Sequence, residues 1–176
     1  MKVYADNAAT TKISKTALDA MMPCFLETYG NPSSLHSVGQ DAFHAVRDAR
    51  NLIAECINAD PNDVYFSSGG SESDNWAIKG IADAYKDKGN HIITSSIEHH
   101  AVLNTCEFLE KHGYEVTYLP VDEFGFVNPE DVKNAIKDTT ILISIMTANN
   151  EIGVIEPISE IAKIAKEHKV IFHTDA

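Results

Sequence analysis

Apolar positions along this chain follow two different periods. They recur every three to four residues over 14–27, 39–57, 72–86, 101–112, 128–136 and 158–167, the spacing that gives an α-helix one buried face. Several of these segments open on Ser, Asn or Pro in capping positions. Between them lie short apolar runs at 64–66, 91–94, 115–119, 140–146 and 170–173, which predict strands. Helix and strand in alternation imply an α/β fold, a mostly parallel sheet with helices on both faces. No internal repeat, low-complexity stretch or linker interrupts the pattern.

Ligands of such sheets bind at the carboxyl ends of the strands, so the residues after each run carry the chemistry. After Val64-Tyr65-Phe66, read as a short buried strand, comes Ser67-Ser68-Gly69-Gly70-Ser71-Glu72-Ser73-Asp74-Asn75, and then an amphipathic helix. Gly69 and Gly70 let the backbone approach an anion, Ser71 adds a hydroxyl, and the free N–H groups of the helix start point at the ligand. The segment matches neither G-x-x-x-x-G-K-[ST] nor G-x-G-x-x-G, which suggests a phosphate-bearing cofactor other than a dinucleotide. An ordinary helix start capped by Ser71 or Ser73 fits the same residues.

The other strand ends are polar as well: Glu98-His99-His100 after the second run, Asn149-Asn150-Glu151 after the fourth, His173-Thr174-Asp175 after the fifth. A phosphorylated pyridine would use this set. Asp175 would pair with a protonated ring nitrogen, Asn150 would bond the ring oxygen, and His99 would stack on the ring face. A single Asp at a strand end also serves as a cap or a solvated loop residue; four coincident placements weaken that alternative.

Composition narrows the class. The chain has 176 residues, 44% of them apolar, enough for one domain with a sizeable core. No apolar run approaches the roughly 18 residues of a membrane span, and the N-terminus lacks a signal-peptide core. A net charge of −12 argues against direct nucleic-acid binding, which needs basic patches. Cys24, Cys56 and Cys106 show no CxxC spacing, which disfavours a disulfide framework or zinc site and makes the cytoplasm the default compartment. Their helical settings predict packing as small apolar residues. No metal is expected, because adjacent His99 and His100 would point apart in extended backbone.

At this point a resemblance becomes specific. Tyr4-Ala5-Asp6-Asn7-Ala8-Ala9-Thr10-Thr11, Gly30-Asn31-Pro32-Ser33-Ser34-Leu35-His36, residues 66–75, Glu98-His99-His100-Ala101-Val102, Asn149-Asn150-Glu151-Ile152-Gly153 and His173-Thr174-Asp175-Ala176 resemble, in order, motifs of the pyridoxal-phosphate-dependent cysteine desulfurases of the NifS/IscS type, within the class-V aminotransferases. Ser67, Ser71 and Ser73 stand where many members carry Thr, Thr and Ala; the hydroxyl at 71 is kept. The resemblance implies an aspartate-aminotransferase-like large domain of PLP fold type I, here incomplete, with 1–14 as a segment near the active site and 15–176 as the partial cofactor-binding domain. It implies removal of sulfur from L-cysteine to give L-alanine and an enzyme persulfide, passed to a sulfur-acceptor protein for iron–sulfur cluster assembly or tRNA thiolation, by a homodimer.

By the same resemblance Gly70 and Ser71 hold the phosphate, His99 stacks on the ring and moves protons, Asn150 contacts ring oxygen and substrate, and Asp175 holds the ring nitrogen. The family's cofactor-binding lysine, in a Ser-x-His-Lys context, and its nucleophilic cysteine match nothing in this chain and are expected beyond Ala176. The 176 residues alone are therefore expected to show no desulfurase turnover. A selenocysteine lyase, another class-V enzyme acting on small amino acids, or a non-catalytic fragment are the competing readings.

Overall fold

The computed structural model describes all 176 residues and resolves into two compact units, residues 1–66 and 67–176. In the first, the Ser14 hydroxyl accepts the Ala17 N–H and opens helix α1 (Lys15–Leu26), which buries none of its residues. Helix α2 (Ser37–Ile57) is capped by His36, whose Nδ1 accepts the Gly39 N–H at 3.2 Å, and ends on Asn58 in the left-handed region. It buries only Gly39, Ala42 and Ala54.

Residues 64–66 are the one expected strand that does not form. Val64 is extended, yet the segment belongs to no sheet, and Tyr65 and Phe66 are 69% and 48% exposed rather than buried. Apolar content reports a tendency to be covered; a strand also needs a neighbour for its backbone groups, which periodicity does not report. The Phe66 ring instead lies under the Arg50 guanidinium, 5.1 Å from the ring centroid. The cysteines also divide: Cys106 is buried, whereas Cys24 and Cys56 are exposed, contrary to their expected packing.

The second unit holds α3 (Gly70–Tyr85), β1 (His91–Ser95), α4 (His100–Glu110), β2 (Glu115–Leu119), α5 (Pro129–Ala135), β3 (Thr140–Ser144), α6 (Ile158–Glu167) and β4 (Ile171–His173). The four strands are parallel in the order β2-β1-β3-β4. Alternate residues of each strand feed two cores. Ile92 and Leu142 pack with Ile78 and Ala82 of α3 and Val102, Cys106 and Leu109 of α4. Ile93 and Ile143 face the other way, against Val132 of α5 and Ile161 and Ala165 of α6. Helices thus cover both faces, as the alternation predicts, and β1 and β3 are buried along their whole length.

Strand order fixes where a ligand belongs. The chain leaves β1 outward to β2, crosses back over β1 to reach β3, then moves outward again to β4. The direction reverses between β1 and β3, so the crevice at their carboxyl ends is the topological switch point. The amino ends are closed by His91, fully buried, whose Nδ1 meets Thr140 Oγ1 at 2.7 Å and whose Nε2 meets Thr117 Oγ1 at 2.8 Å. Both ring nitrogens are satisfied across three strands, and burial holds the imidazole below its ordinary pKa. His91 is a structural histidine.

Candidate functional site

Helix α3 begins at Gly70, preceded by Gly69 as N-cap with no side chain to offer, so neither Ser71 nor Ser73 is the cap. Ser73 Oγ lies 2.6 Å from Ser67 Oγ instead. Glu72 turns back, accepting both the backbone N–H and the hydroxyl of Ser68 at 2.6 Å, and these bonds hold its carboxyl below the usual range. A Cβ built on Gly69 or on Gly70 would meet nothing within 4 Å. The helix therefore presents an uncapped positive end and the exposed Ser71 side chain to open space, an arrangement suited to a phosphate.

His99 is exposed at the start of α4, where its Nδ1 accepts the Ala101 N–H at 3.1 Å and caps the helix. With Nδ1 occupied as acceptor, the neutral ring carries its proton on Nε2. His99 lines two cavities. One, of about 450 Å³, runs between α3 and α4 and is bordered by Ser71, Asn75, Lys79, His100 and Asn104. The other, of about 260 Å³, is bordered by Glu98, Asn149 and Asn150.

The two neighbouring asparagines divide their work. Asn149 donates from Nδ2 to the Ile97 carbonyl at 2.9 Å, and its Oδ1 accepts the N–H groups of Glu151 and Ile152 at 2.9 and 3.0 Å. That bracing leaves Asn150 as the exposed member, free to meet a ligand.

Two buried carboxylates lie behind this edge, and the residue pattern alone did not single out either as a site. Glu98, 5% exposed, accepts the Ser95 hydroxyl at 2.7 Å and the Met146 N–H at 2.9 Å through Oε1, bridging the ends of β1 and β3 at the switch point. Burial raises its carboxyl to about 7, with repulsion from Asp175 and Glu156 adding and the Ser95 and Met146 bonds opposing. Asp74, on α3, is 4% exposed, with Oδ1 3.6 Å from His173 Nε2. Burial, then repulsion from Asp175, raises it to about 6 against the pull of His99. Asp74 had a signal: it stands four and eight residues before Ile78 and Ala82, a carboxylate heading an apolar stripe. Glu98 had only its place after the second apolar run; its bond to Met146 depends on a strand distant in sequence.

Asp175 is half-buried just past β4, its backbone carbonyl accepting the Thr147 N–H at 2.8 Å. It lines neither cavity but is coupled to the edge electrostatically, through Asp74, Glu98 and His173. Of the residues singled out from sequence, Ser71 and His99 share one cavity, and His99 and Asn150 share the other. Gly70 borders neither; it starts the helix. No cluster of three or more His, Cys, Asp or Glu side chains is placed to hold a metal ion, and no helix is long and apolar enough to cross a membrane.

Known proteins give this geometry a lineage. The chain is 60% identical over 174 residues to the cysteine desulfurase IscS of Methanosarcina thermophila, covering 99% of this chain and 43% of that protein. It is 59% identical over 175 residues to a cysteine desulfurase IscS of Clostridium botulinum, covering 99% of this chain and 44% of that one. Among solved structures, a NifS-like protein superposes with a TM-score of 0.97 at 38% identity, over 100% of this chain and 49% of that one. SspA in complex with cysteine superposes at 0.94 with 44% identity, over 98% and 50%. The chain thus spans about half the length, or somewhat less, of the relatives it matches, and its sheet and flanking helices are part of a PLP fold type I domain. The aminotransferase class-V signature runs from residue 3 to residue 176, across every strand end described above, and the chain belongs to the class-V aminotransferase family.

Proposed function

We propose that the protein carrying this chain is a pyridoxal-phosphate-dependent cysteine desulfurase, which takes sulfur from L-cysteine to give L-alanine and an enzyme-bound persulfide. The observation that carries this reading is the 60% identity, along nearly the whole chain, to a protein named cysteine desulfurase. The donor set fits the cofactor: an uncapped helix end and the Ser71 side chain suit a phosphate dianion, and a half-buried carboxylate at Asp175 suits a protonated ring nitrogen. Bound pyridoxal phosphate supplies an electron sink for the charge that develops at the α-carbon of the amino acid.

The residues of this chain then have distinct tasks. Gly70 and Ser71 hold the phosphate. Asp175 keeps the ring nitrogen charged. His99, with its proton on Nε2, would stack on the ring and supply a group that exchanges protons beside it. Asn150 would bond the ring oxygen and help orient the substrate. Cys106 is no candidate for the persulfide, because burial pushes its thiol up to about 12. The lysine that anchors the cofactor and the cysteine that accepts sulfur are assigned to the part of the parent protein outside this chain, consistent with relatives more than twice as long.

Delivery of sulfur to an acceptor protein for cluster assembly or tRNA thiolation, and function as a homodimer in the cytoplasm, complete the reading; they are supported by likeness to the desulfurases and by three cysteines in no disulfide. The test is to incubate the full-length protein with L-cysteine and measure alanine together with protein-bound sulfane sulfur. With cysteine limiting, so that no excess thiol releases the persulfide as sulfide, equal amounts of the two are expected. A keto acid product, or alanine from selenocysteine alone, would overturn the assignment.

A further inference from the structure

Asp74 occupies a position that helix packing reserves for an aliphatic side chain. It heads the buried stripe of α3, followed by Ile78 and Ala82, and its Oδ2 is buried without a hydrogen-bond partner. A carboxylate there is costly unless something compensates it. The only cation-capable group in contact is His173, at the end of β4, whose Nε2 is 3.6 Å from Asp74 Oδ1. That is too long for a hydrogen bond, and because burial keeps His173 below its ordinary pKa, the contact at neutral pH is between the Asp74 charge and the N–H dipole of a neutral ring. The other ring nitrogen, Nδ1, lies 2.9 Å from Ser144 Oγ, and Ser144 pairs with His173 in the β3–β4 register. A line of three side chains thus crosses from α3 to the carboxyl ends of β4 and β3, and its central member, His173, precedes Asp175 by two residues and feels its charge.

We propose that Asp74 is a positioning residue for Asp175: acting through His173, it fixes the imidazole as the Nε2–H tautomer and braces the strand end from which Asp175 reaches the ring. The inference rests on the reading of Asp175 as the ring partner. With the Nε2 proton turned toward the anion, Nδ1 is left to accept the Ser144 hydroxyl. The charge of Asp74 also adds to that of Asp175, which favours a cation at that spot. The other titratable groups around the line are Asp175 itself, His99 at the start of α4, and Glu98 at the switch point. Burial keeps His173 below its ordinary pKa, so at neutral pH its tautomer, rather than its charge, carries the signal.

The test uses the full-length protein with 15N-labelled histidine, as wild type, Asp74→Asn, and His173→Gln to assign the resonances. At neutral pH, wild-type His173 is expected as the Nε2–H tautomer. Asp74→Asn can turn an NH₂ toward Nε2 and is expected to move His173 toward the Nδ1–H form, and to weaken pyridoxal phosphate binding about tenfold. A His173 that is Nδ1–H in the wild type, or a tautomer unmoved by Asp74→Asn, would overturn the proposal. Should Asp74→Asn not fold, the wild-type spectrum decides, with Ser144→Ala expected to leave Nε2–H in place. The spectra are recorded with and without cofactor; a wild type that binds none would count against the proposed function, while the cofactor-free tautomer still judges Asp74.

Discussion

Glu98 and Met146 join the loops leaving the two central strands: the Met146 N–H donates to Glu98 Oε1 at 2.9 Å, across 48 residues of sequence. The bond closes the carboxyl end of the β1–β3 seam at the point where the strand order reverses. It offsets part of the cost of burying a carboxylate, since Oε1 serves two donors; Oε2, buried without a partner, leaves the rest of that cost in place.

The pH dependence of stability follows from that burial. Glu98 titrates near 7 in the fold against 4.5 when free, so the folded state binds more protons than the unfolded state between those values. Its contribution is fully present below about pH 4.5 and declines as pH rises to about 7, with a slope of roughly 1.4 kcal/mol per pH unit. Glu98→Gln keeps an acceptor for Ser95 and Met146 but cannot ionise. Its stability relative to wild type is expected to rise across that window by up to about 3 kcal/mol and to level off above it. Urea denaturation of both proteins at a series of pH values checks this, and a difference that stays flat with pH would refute it. Glu98→Ala, which strands the buried Met146 N–H, is expected to destabilise by about 1–3 kcal/mol.

Asn149 and Asn150 offer a matched pair. Asn149→Ala removes the hydrogen bond donated to the Ile97 carbonyl on the loop after β1 and two accepted within its own loop, and is expected to cost about 2 kcal/mol of stability. Asn150→Ala, at an exposed position, is expected to stay within about 0.5 kcal/mol of wild type while weakening cofactor and substrate binding. The reverse pattern would exchange the roles of the two residues.

Most of the architecture was legible because burial on both faces leaves strong marks: Ile92, Ile93, Leu142 and Ile143 form uninterrupted apolar runs, and helical spacing brackets them. Residues 64–66 misled because apolar character was mistaken for a pairing partner. The exposed edge residues Ser71, His99 and Asn150 could be read locally, since each follows a strand or opens a helix. Glu98 follows a strand and His173 ends one, but their bonds to Met146 and Ser144 could not be read, because those partners lie on or just past a neighbouring strand set by register. Cys24 and Cys56 sit in helical patterns whose period says which residues share a face, not whether that face is covered.

The proposed phosphate seat and the proposed ring carboxylate are separable. Ser71→Ala deletes one exposed hydroxyl and is expected to lower affinity for pyridoxal phosphate about tenfold with the fold unchanged. Asp175→Asn keeps the backbone carbonyl that accepts the Thr147 N–H, so its thermal midpoint is expected to match wild type. Its cofactor absorption, however, is expected to lose the signature of a protonated ring. Full affinity in Ser71→Ala would move the phosphate elsewhere along α3, and an unchanged spectrum in Asp175→Asn would remove Asp175 from the ring.

Thiol chemistry separates Cys106 from the sulfur-handling part of the proposal. Cys106 is fully buried between α4 and the sheet, packed with Ile78, Ile92 and Val102, and burial pushes its thiol up to about 12, with Glu98 and Glu110 adding to the rise. A thiolate is the reactive form, so Cys106 is expected to resist a thiol reagent in the native protein and to react only on unfolding. Cys106→Ala removes one sulfur from a packed core and is expected to cost about 1 kcal/mol. Cys106→Ser, which buries a hydroxyl in an apolar cluster, is expected to cost more, about 1–3 kcal/mol. Mass spectrometry after native labelling checks the first expectation and denaturant midpoints the others. Persulfide found on Cys106 after turnover would overturn its assignment as packing, because it would require that side of the sheet to open during catalysis.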